Sequence, residues 1–492
     1  MTFGELIKSI SKKEWRLVFV LSALMLIIAF LPALTGLIMA PDNFIYNGSH
    51  SLNTADYQVY YSYLGQVKSG SFLLKNLYTS EYQEHGMLNI FWLGLGLLGK
   101  LLHLSNIITF HLGRLLLIVP SVSLLYIFTA YFLKEVKWRW LAFILLLFSS
   151  GWGGFTAVLL ESPGLDKEVT MFQATDLWVP ESNIFLTLIH SPHMIASLSL
   201  ILLIFLCLLL ALDNNRYRYS LSAGVLALLL FQFHPYYFPT IFGIWLAYWL
   251  IKLIMDKSIN WPIIFHGLIM FLVSLPSLAY HFWLVGVDQA IGLRASQNIS
   301  LTPPFLAVIV GFGLLIPLAI LGAVRIIKNK EVKEKINRPF FLFAWALAVP
   351  FLIYLPISFQ RRLLEGWEFP LVMLTTVALA GLASQPKIKK WRLDFKPLVV
   401  IGFLLFFCFT NIFCLARDFV YLGYQPESVK KYYFISRDEQ AALAWLKNNS
   451  SPKALVLSQG FFGRYVPAYA NRRVYIGHSQ ESIFGKSKEQ LV

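Results

Sequence analysis

The turn ISFQRRLLEGWEFPL carries an unusual density of charge within an apolar part of the sequence. Arg361 and Arg362 are adjacent, and Glu365 and Glu368 follow them closely. Charged side chains at an apolar boundary are costly unless they are paired or used. Two interpretations stay open. The arginines pair with these glutamates or snorkel to the lipid headgroups, or they bind phosphate, which a guanidinium meets with bidentate hydrogen bonds.

A second polar group lies in ATDLWVPESNIFLTLIHSPHM, at the end of an acid-rich loop over 158–190. The acids of this loop are Glu161, Asp166, Glu168, Asp176 and Glu181. His190 and His193 follow at the boundary of an apolar run, where histidines often only hydrogen-bond locally. Carboxylate and imidazole together could hold a divalent cation, but their spacing matches no sharp metal motif. We interpret these residues, with His234 of FHPYYFPT, as the polar wall of a cavity.

The segment LNTADYQVYYSYLGQVKSG predicts a helix over 54–69. Its cap would be Asn53 or Thr54, and Gly70 would end it. Asp56 then lies in the first turn, where the helix dipole and the free backbone N–H groups favour an ionised carboxylate. Such a carboxylate could do chemistry, or it could simply stabilise the helix.

Tyr60 and Tyr63 follow Asp56 on the helix surface at helical spacing. Tyrosines of this kind are typical of a belt at a membrane interface. Tyr60 also stands close enough to Asp56 to be a candidate for the same cavity. Both interpretations are compatible with a helix that lies on a membrane surface.

The composition decides what kind of chain must position these residues. Of the 492 residues, 57% are hydrophobic, 16% aromatic and only 14% charged. A soluble protein carries about 25% charged residues, so this chain lacks the polar side chains to cover a water-facing surface. A soluble multidomain enzyme and a disordered chain are excluded. The sequence predicts an all-α polytopic membrane protein.

A bilayer core needs about 20 apolar residues per helix, and eleven runs meet this criterion. The predicted spans are 17–39, 108–133, 140–157, 191–212, 220–233, 238–255, 262–283, 304–325, 340–358, 369–385 and 397–416. A twelfth run over 87–104 is apolar as well. We predict that it is re-entrant or interfacial.

The positive-inside rule supports this topology. If 87–104 does not cross, cytoplasmic segments, among them 386–396, collect 22 Lys and Arg, and the short outside loops hold seven. The N-terminus is then cytoplasmic and the C-terminus extracytoplasmic, in a cell (inner or plasma) membrane. The net charge of +15 is mainly a mark of this topology, and no nucleic-acid partner is expected.

Two polar regions are predicted outside the membrane. The first is the long loop over 40–107, and the second is the C-terminal tail over 417–492, which follows the membrane domain 1–416. SRDE at 436–439 predicts a capping box before a helix. KALVLS and RRVYIG predict short strands, so the tail is expected to be a small α/β appendage.

The order of these elements resembles the GT-C superfamily of bacterial membrane glycosyltransferases, which use polyprenyl-phosphate sugars and include protein mannosyltransferase and aminoarabinose transferase families. The resemblance covers nearly the whole chain. One span is followed by a long outside loop with D-x-x-x-Y from Asp56 to Tyr60, then KNLYTSE and an apolar interfacial helix. Arg114 at the next span, the acidic second loop, the HPY turn, RRLLEG and AxxWLKNN follow in order.

The resemblance implies roles for the acids of both loops. The acid of the first outside loop is catalytic in the superfamily, and this role falls on Asp56. An acid of the second loop often assists or binds metal, which falls on Asp176 or Glu181. No cofactor is implied as required, although Mg²⁺ or Mn²⁺ could bind to these three acids. Many relatives carry a DE or ED pair in the first loop, whereas Ala55 and Tyr57 flank Asp56.

The resemblance also implies an inverting transfer of a sugar from a polyprenyl-phosphate donor to an unknown glycan, lipid or protein acceptor on the extracytoplasmic face. Asp56 would be the general base, and Arg361, Arg362 and Arg114 would bind the donor phosphate. The substrate cavity is expected to include Tyr60, His190, His193, His234 and Glu365. Membrane lipids are the other expected partners. The alternatives are a transporter or lipid flippase, and a non-catalytic membrane protein of this fold.

Overall fold

A computed structural model describes residues 1–50, 52–159, 173–384, 396–425 and 427–491. Three acids of the second loop, Glu161, Asp166 and Glu168, lie outside the described residues. So does nearly all of the basic segment 386–396. Helices make up most of the described chain, as the predicted fold class requires.

The helices from the N-terminus to the middle of the chain are numbered in order. They are α1 Phe3–Lys8, α2 Lys12–Ile38, α3 Thr54–Lys68, α4 Ile90–Leu101, α5 Asn106–Phe132, α6 Val136–Phe148, α7 Gly153–Leu159, α8 Ile184–His190, α9 Pro192–Asn214, α10 Tyr217–Phe233, α11 Phe238–Asp256 and α12 Trp261–Val287. Short 3-10 turns at Thr175–Leu177, Pro180–Ser182 and Pro235–Tyr237 lie between them.

The second half of the chain continues the series. Its helices are α13 Gln289–Gln297, α14 Phe305–Phe312, α15 Leu315–Lys328, α16 Lys330–Glu334, α17 Pro339–Leu352, α18 Glu368–Ala383, α19 Lys396–Phe407, α20 Phe409–Gly423, α21 Glu427–Tyr433, α22 Arg437–Asn449, α23 Gly460–Gly463 and α24 Gly485–Glu489. A 3-10 turn at Gln360–Leu364 leads into α18, and a π-helical turn covers Val466–Ala470.

Seven helical stretches in the described residues are long and apolar enough to cross a membrane. They are α2, α5, α6 with α7, α9, α11 with its preceding turn, α12, and α18 with its preceding turn. Two further pairs, α14 with α15 and the part of α19 from Ile401 with α20, pass the same test but bend by 76° at a short break. The candidates thus number seven to nine, and the expected eleven are not confirmed. Predicted spans 220–233 and 340–358 correspond to α10 and α17, with only 17 and 14 residues.

The first loop contains the two helices that the sequence predicts. Helix α3 ends before Gly70, whose φ of +99° favours glycine. The expected side-chain cap is wrong in one respect: Asn53 has a φ of 49° and makes no capping hydrogen bond. Helix α4 has 12 residues, or roughly 18 Å at 1.5 Å per residue, which is too short to span a bilayer alone.

Close contacts at glycines hold α4 in place. A Cβ on Gly96 would lie 2.7 Å from the side chain of Val67 in α3, and one on Gly99 would meet the Thr109 side chain of α5. The absence of side chains at these positions lets the three helices approach each other. The first loop, residues 40–107, is therefore a closely packed unit, which we call the platform.

The C-terminal segment joins this platform through a two-stranded antiparallel sheet. Strand β1 (Phe44–Tyr46) follows the first long helix, and it pairs with β2 (Phe434–Ser436). Ser436 and Glu439 form the predicted capping box at the start of α22. The predicted strands are also present as β3 (Leu455–Val456) and β4 (Arg473–Val474), which pair in parallel.

The first loop and the C-terminal segment share one hydrophobic core. Buried side chains of α3 and α4 pack with buried side chains from the C-terminal segment. Among the latter are Ile435, Leu443, Tyr465, Val466 and Val474. The burial of apolar surface thus ties together two regions that lie more than 300 residues apart in the sequence.

Candidate functional site

Asp56 lies in the first turn of α3. Its side chain is 36% exposed, and its Oδ1 lies 3.1 Å from Nε2 of His478 in the C-terminal segment. His478 itself is 3% exposed. This histidine was not predicted as a site residue, because its only local signal is a position directly after the predicted strand RRVYIG.

The hydrogen bonds of His478 define its tautomer. Its Nδ1 accepts from the backbone N–H groups of Gln480 at 3.1 Å and Glu481 at 3.2 Å. Because Nδ1 is an acceptor, Nε2 carries the proton. Nε2–H therefore donates to the Asp56 carboxylate.

Opposing effects act on the pKa of Asp56. Burial acts to raise the pKa of this carboxyl, but the hydrogen bond from His478 and the nearby positive charge outweigh it, so the pKa lies below its usual value. Arg362 contributes part of that positive charge. Asp56 is therefore ionised at neutral pH. The helix dipole predicts this ionised state, and the hydrogen bond from His478 is a further cause of it.

The adjacent arginines of the Gln360–Leu364 turn are half-buried and lie on aromatic rings. The guanidinium carbon of Arg361 is 4.8 Å from the centroid of Trp178, and that of Arg362 is 4.6 Å from the centroid of Tyr236. Such cation–π contacts hold a guanidinium in place without neutralising its charge. The positive charge of this turn is therefore available to bind an anionic group.

The neighbouring glutamates do not pair with these arginines. Glu365 accepts hydrogen bonds from the Tyr237 hydroxyl at 3.3 Å and the Thr187 hydroxyl at 3.4 Å. Glu368 accepts from the Ser149 hydroxyl at 2.7 Å and from the backbone N–H of Ile184 at 2.6 Å. Within the described chain, no ion pair joins Arg361 or Arg362 to an acid within 4 Å. The first interpretation of this turn, mutual pairing, is wrong.

Glu181 lies near the two arginines without an ion pair of this kind. It is in the Pro180–Ser182 turn, which packs against the Gln360–Leu364 turn. Its carboxylate acts electrostatically on both guanidinium groups. Glu181 thus belongs to the same charged group as Arg361 and Arg362.

Three predicted cavity histidines are buried close to one another. The ring centroids of His193 and His234 are 5.0 Å apart. The Tyr57 hydroxyl donates to the backbone carbonyl of His190 at 3.3 Å. Burial lowers the pKa of His190 to about 3, so this imidazole is neutral at physiological pH. His234 Nδ1 lies 2.6 Å from the Ser197 hydroxyl.

Tyr60 connects α3 to this histidine group. Its ring stacks on Trp92 of α4 with centroids 4.9 Å apart and an interplanar angle of 15°. It also lies edge-on to His193 at 4.6 Å. Asp56, Arg362 and Glu181 all act electrostatically on Tyr60, so these side chains lie in one region. That they line a substrate cavity stays a prediction.

Asp176 is placed elsewhere. It is fully buried in the Thr175–Leu177 turn, and its Oδ2 accepts from the backbone N–H of Gly153 at 3.4 Å. Burial raises the pKa of this carboxyl to about 7. The Asp176 carboxyl acts electrostatically on Glu368. Asp176 therefore lies near Glu368, among packed helices, and is not brought to Asp56.

The Arg114 side chain is engaged in contacts within the protein. Its side chain is fully buried, and Nη2 donates to the backbone carbonyls of Ala29 at 2.6 Å and Ile189 at 2.5 Å. Its Nη1 lies 2.9 Å from Nδ1 of His111, and its guanidinium lies over the Phe30 ring. The side chain therefore crosslinks α2, α5 and α8.

Metal ligation is not indicated by the geometry. Within the described ranges, no group of three or more His, Cys, Asp or Glu residues could hold a metal ion. Asp56, Asp176 and Glu181, the acids expected to bind any metal, do not form one ligand set.

Comparisons with solved structures reveal the fold. No protein-family model matches the chain, and no curated protein matches it. The apo structure of the Archaeoglobus fulgidus oligosaccharyltransferase superposes with a TM-score of 0.57 at 13% identity, over 95% of this chain and 65% of that chain. The chain has the GT-C fold.

Further structures of the archaeal enzyme give the same result. AglB from Archaeoglobus fulgidus in complex with an inhibitory peptide and a dolichol-phosphate has a TM-score of 0.54 at 14% identity, over 96% of this chain and 65% of that chain. The same oligosaccharyltransferase tethered to an acceptor peptide has a TM-score of 0.56 at 14% identity, over 95% and 64%. The chain thus spans about 65% of the length of these proteins.

Proposed function

We propose that the chain is a membrane glycosyltransferase that moves a sugar from a polyprenyl-phosphate donor to an acceptor hydroxyl, with inversion, at the extracytoplasmic face of a cell membrane. The observation that carries this proposal is that an ionised Asp56 lies in the same region as two guanidinium groups whose charge no acid of the described chain neutralises by direct contact. The GT-C fold, in which AglB has been seen with dolichol-phosphate, supports a lipid-linked donor.

Asp56 is the general base of the proposed reaction. The acceptor hydroxyl binds to its Oδ2, because Oδ1 receives the hydrogen bond of His478. As the acceptor oxygen attacks the anomeric carbon, its proton passes to Asp56. A new C–O bond forms on one face of the sugar, while the bond to the phosphate breaks on the other.

Arg361 and Arg362 act on the leaving group. The electron pair of the broken bond stays on the polyprenyl phosphate, whose negative charge the guanidinium groups stabilise. Because Trp178 and Tyr236 hold these groups in place, little reorganisation accompanies the charge movement. No step is assigned to a metal ion, since the candidate acids are not brought together.

The neutral histidines and the stacked rings complete the proposed substrate cavity. His193, His234, Tyr60 and Glu365 offer hydrogen-bonding groups and apolar faces to a sugar. Because these groups are uncharged or engaged with neutral partners, they can orient a substrate without competing with the arginines for the phosphate. The acceptor is a glycan, lipid or protein hydroxyl.

The proposal is tested with purified protein in nanodiscs and a panel of radiolabelled polyprenyl-phosphate sugars. Wild-type protein is expected to bind one donor saturably and to transfer or hydrolyse its sugar. Asp56→Asn keeps an acceptor for His478 but no longer takes a proton, so turnover should fall about 10²–10⁴-fold with donor binding retained. Asp42→Asn, at an exposed acid of the same loop, is the matched control. Full activity of Asp56→Asn contradicts the assignment, and flux of an intact donor across the membrane would indicate a flippase instead.

A further inference from the structure

The C-terminal turn 477–483 is held against the first loop by hydrogen bonds from two elements. Asn76 Nδ2 donates to the backbone carbonyl of Glu481 at 2.7 Å, and the backbone N–H of Ile483 donates to the Thr79 hydroxyl at 3.3 Å. Arg294 of α13 forms an ion pair with Glu481 at 2.5 Å. The position of the turn is therefore fixed from both sides.

The C-terminal turn 477–483 also fixes the imidazole of His478. The Ser482 hydroxyl accepts hydrogen bonds from the backbone N–H groups of Gly477 at 3.0 Å and His478 at 3.1 Å. With Nδ1 occupied by two backbone N–H groups, the ring has one tautomer and one orientation. An imidazole held in this way presents an N–H of defined direction to Asp56.

We propose that His478 is a positioning residue that acts through Asp56, so that the C-terminal segment completes the site. Its Nε2–H holds Oδ1 of Asp56, and no hydrogen bond to Oδ2 is found among the described residues. Rotation of the carboxylate is restricted, and Oδ2 is directed to the acceptor hydroxyl. This inference rests on the proposed function.

Other charged and titratable groups face Asp56, and each acts differently. They are His190 and Arg362, which act on Asp56 electrostatically, and Tyr57, Tyr60, Tyr63, Tyr78, His193 and Arg361, on which Asp56 acts. In the described chain, His478 is the side chain that hydrogen-bonds to the carboxylate. Orientation of the carboxylate is therefore the role that distinguishes His478 from its neighbours.

The test compares His478→Ala with His478→Gln, whose amide nitrogen can replace Nε2 as a donor. His478→Ala is expected to lower kcat about 10²-fold, the scale of a small misplacement of a catalytic group, with the donor KM unchanged. His478→Gln should recover most of kcat. Ser479→Ala, at an exposed residue of the same turn, should behave as wild type. An unchanged kcat in His478→Ala, or equal losses in the Ala and Gln variants, would overturn the inference.

A double-mutant cycle separates positioning from general damage to the fold. In an Asp56→Asn background, His478→Ala should cause no further loss of the residual rate, because its effect passes through Asp56. An equal loss in both backgrounds would overturn the inference. If wild-type protein turns over no donor, the proposed function fails. The melting temperatures of the same four proteins are then compared in place of their rates. Coupling between the two positions then supports the contact, and additivity overturns it.

Discussion

Nε2 of His478 lies 3.1 Å from Oδ1 of Asp56, although 422 residues separate the two in the chain. This contact joins the first turn of α3 to the last part of the C-terminal segment. The predicted tail is therefore more than an appendage to the membrane helices, because one of its side chains contacts the acid that we propose as the base.

Removal of either stacked arginine should weaken donor binding. We expect Arg361→Gln or Arg362→Gln to raise the donor Kd by roughly 10-fold or more, since a hydrogen bond to a charged group contributes about 1.5–3 kcal/mol. The Lys variants should recover part of the affinity, because they keep the charge but lose the planar fork. Equilibrium binding in nanodiscs measures this. Lys257→Gln, at an exposed residue outside the site, is the control, and equal Kd values throughout would remove the arginines from the phosphate site.

Asp176→Asn should stabilise the protein at alkaline pH. Burial raises the pKa of Asp176 from 3.8 to about 7, so between these values the folded protein keeps a proton that the unfolded chain releases. Stability is then lost as pH rises through this window, by up to about 4 kcal/mol. The Asp176→Asn variant has no carboxyl to titrate, so it does not lose this stability as pH rises. We expect a higher melting temperature than wild type at pH 8 and a much smaller difference at pH 4.

Melting curves of detergent-solubilised protein at both pH values decide this point. Asp42→Asn provides the control for a change of net charge. A melting temperature of Asp176→Asn that is lowered equally at pH 4 and pH 8 would contradict the prediction, because it would mean that stability does not depend on the titration of Asp176 between these pH values.

Arg114→Lys should destabilise the fold and leave the donor affinity of the folded protein unchanged. Lysine keeps the charge but cannot bond to the carbonyls of Ala29 and Ile189 and to His111 at once. A buried carbonyl left without a donor costs about 1–3 kcal/mol. Thermal unfolding and donor binding are measured on the same preparation, with Arg216→Lys at an exposed position as control. Weaker donor binding at an unchanged melting temperature would instead restore the expected phosphate-binding role.

The ion pair of Arg294 and Glu481 should hold the C-terminal turn in place. The Arg294 guanidinium also donates to the Tyr63 hydroxyl at 3.2 Å, so Arg294→Gln breaks contacts to both partners. We expect faster proteolysis within 477–491 and a lower kcat, because His478 loses its support. Lys252→Gln, which breaks an exposed pair with Asp256, should change neither. Proteolysis at the wild-type rate would contradict this role of the ion pair.

Local patterns predicted much of the fold. The helix from Thr54 to Lys68 and the capping box of Ser436 and Glu439 follow from periodicity and capping chemistry, which act over a few residues. A short apolar helix is also present at Ile90–Leu101, and its interfacial position stays a prediction. The 76° bends within two apolar runs were not predicted, because hydropathy measures the polarity of a segment and contains no information about the direction of its helix axis.

The candidate site was predicted in part. Asp56, the arginine pair, Glu181 and the histidines were selected because polar groups stand out in an apolar chain. His478 was missed because its partner is distant in sequence and the tail is polar throughout, so one more polar residue carried no signal. Asp176 was grouped with Glu181 because the two are close in sequence. In the structure its turn is buried against Gly153, and Asp176 does not lie beside Asp56.

The pairing of β1 with β2 has a consequence for biosynthesis. Ribosomes add about 5–20 residues per second, so Asp56 is made roughly 20–80 s before His478. During this interval the platform lacks the strand that closes its sheet and the imidazole that orients its carboxylate. The proposed activity therefore requires the finished polypeptide, because a chain that is still being inserted lacks both the second strand of this sheet and His478.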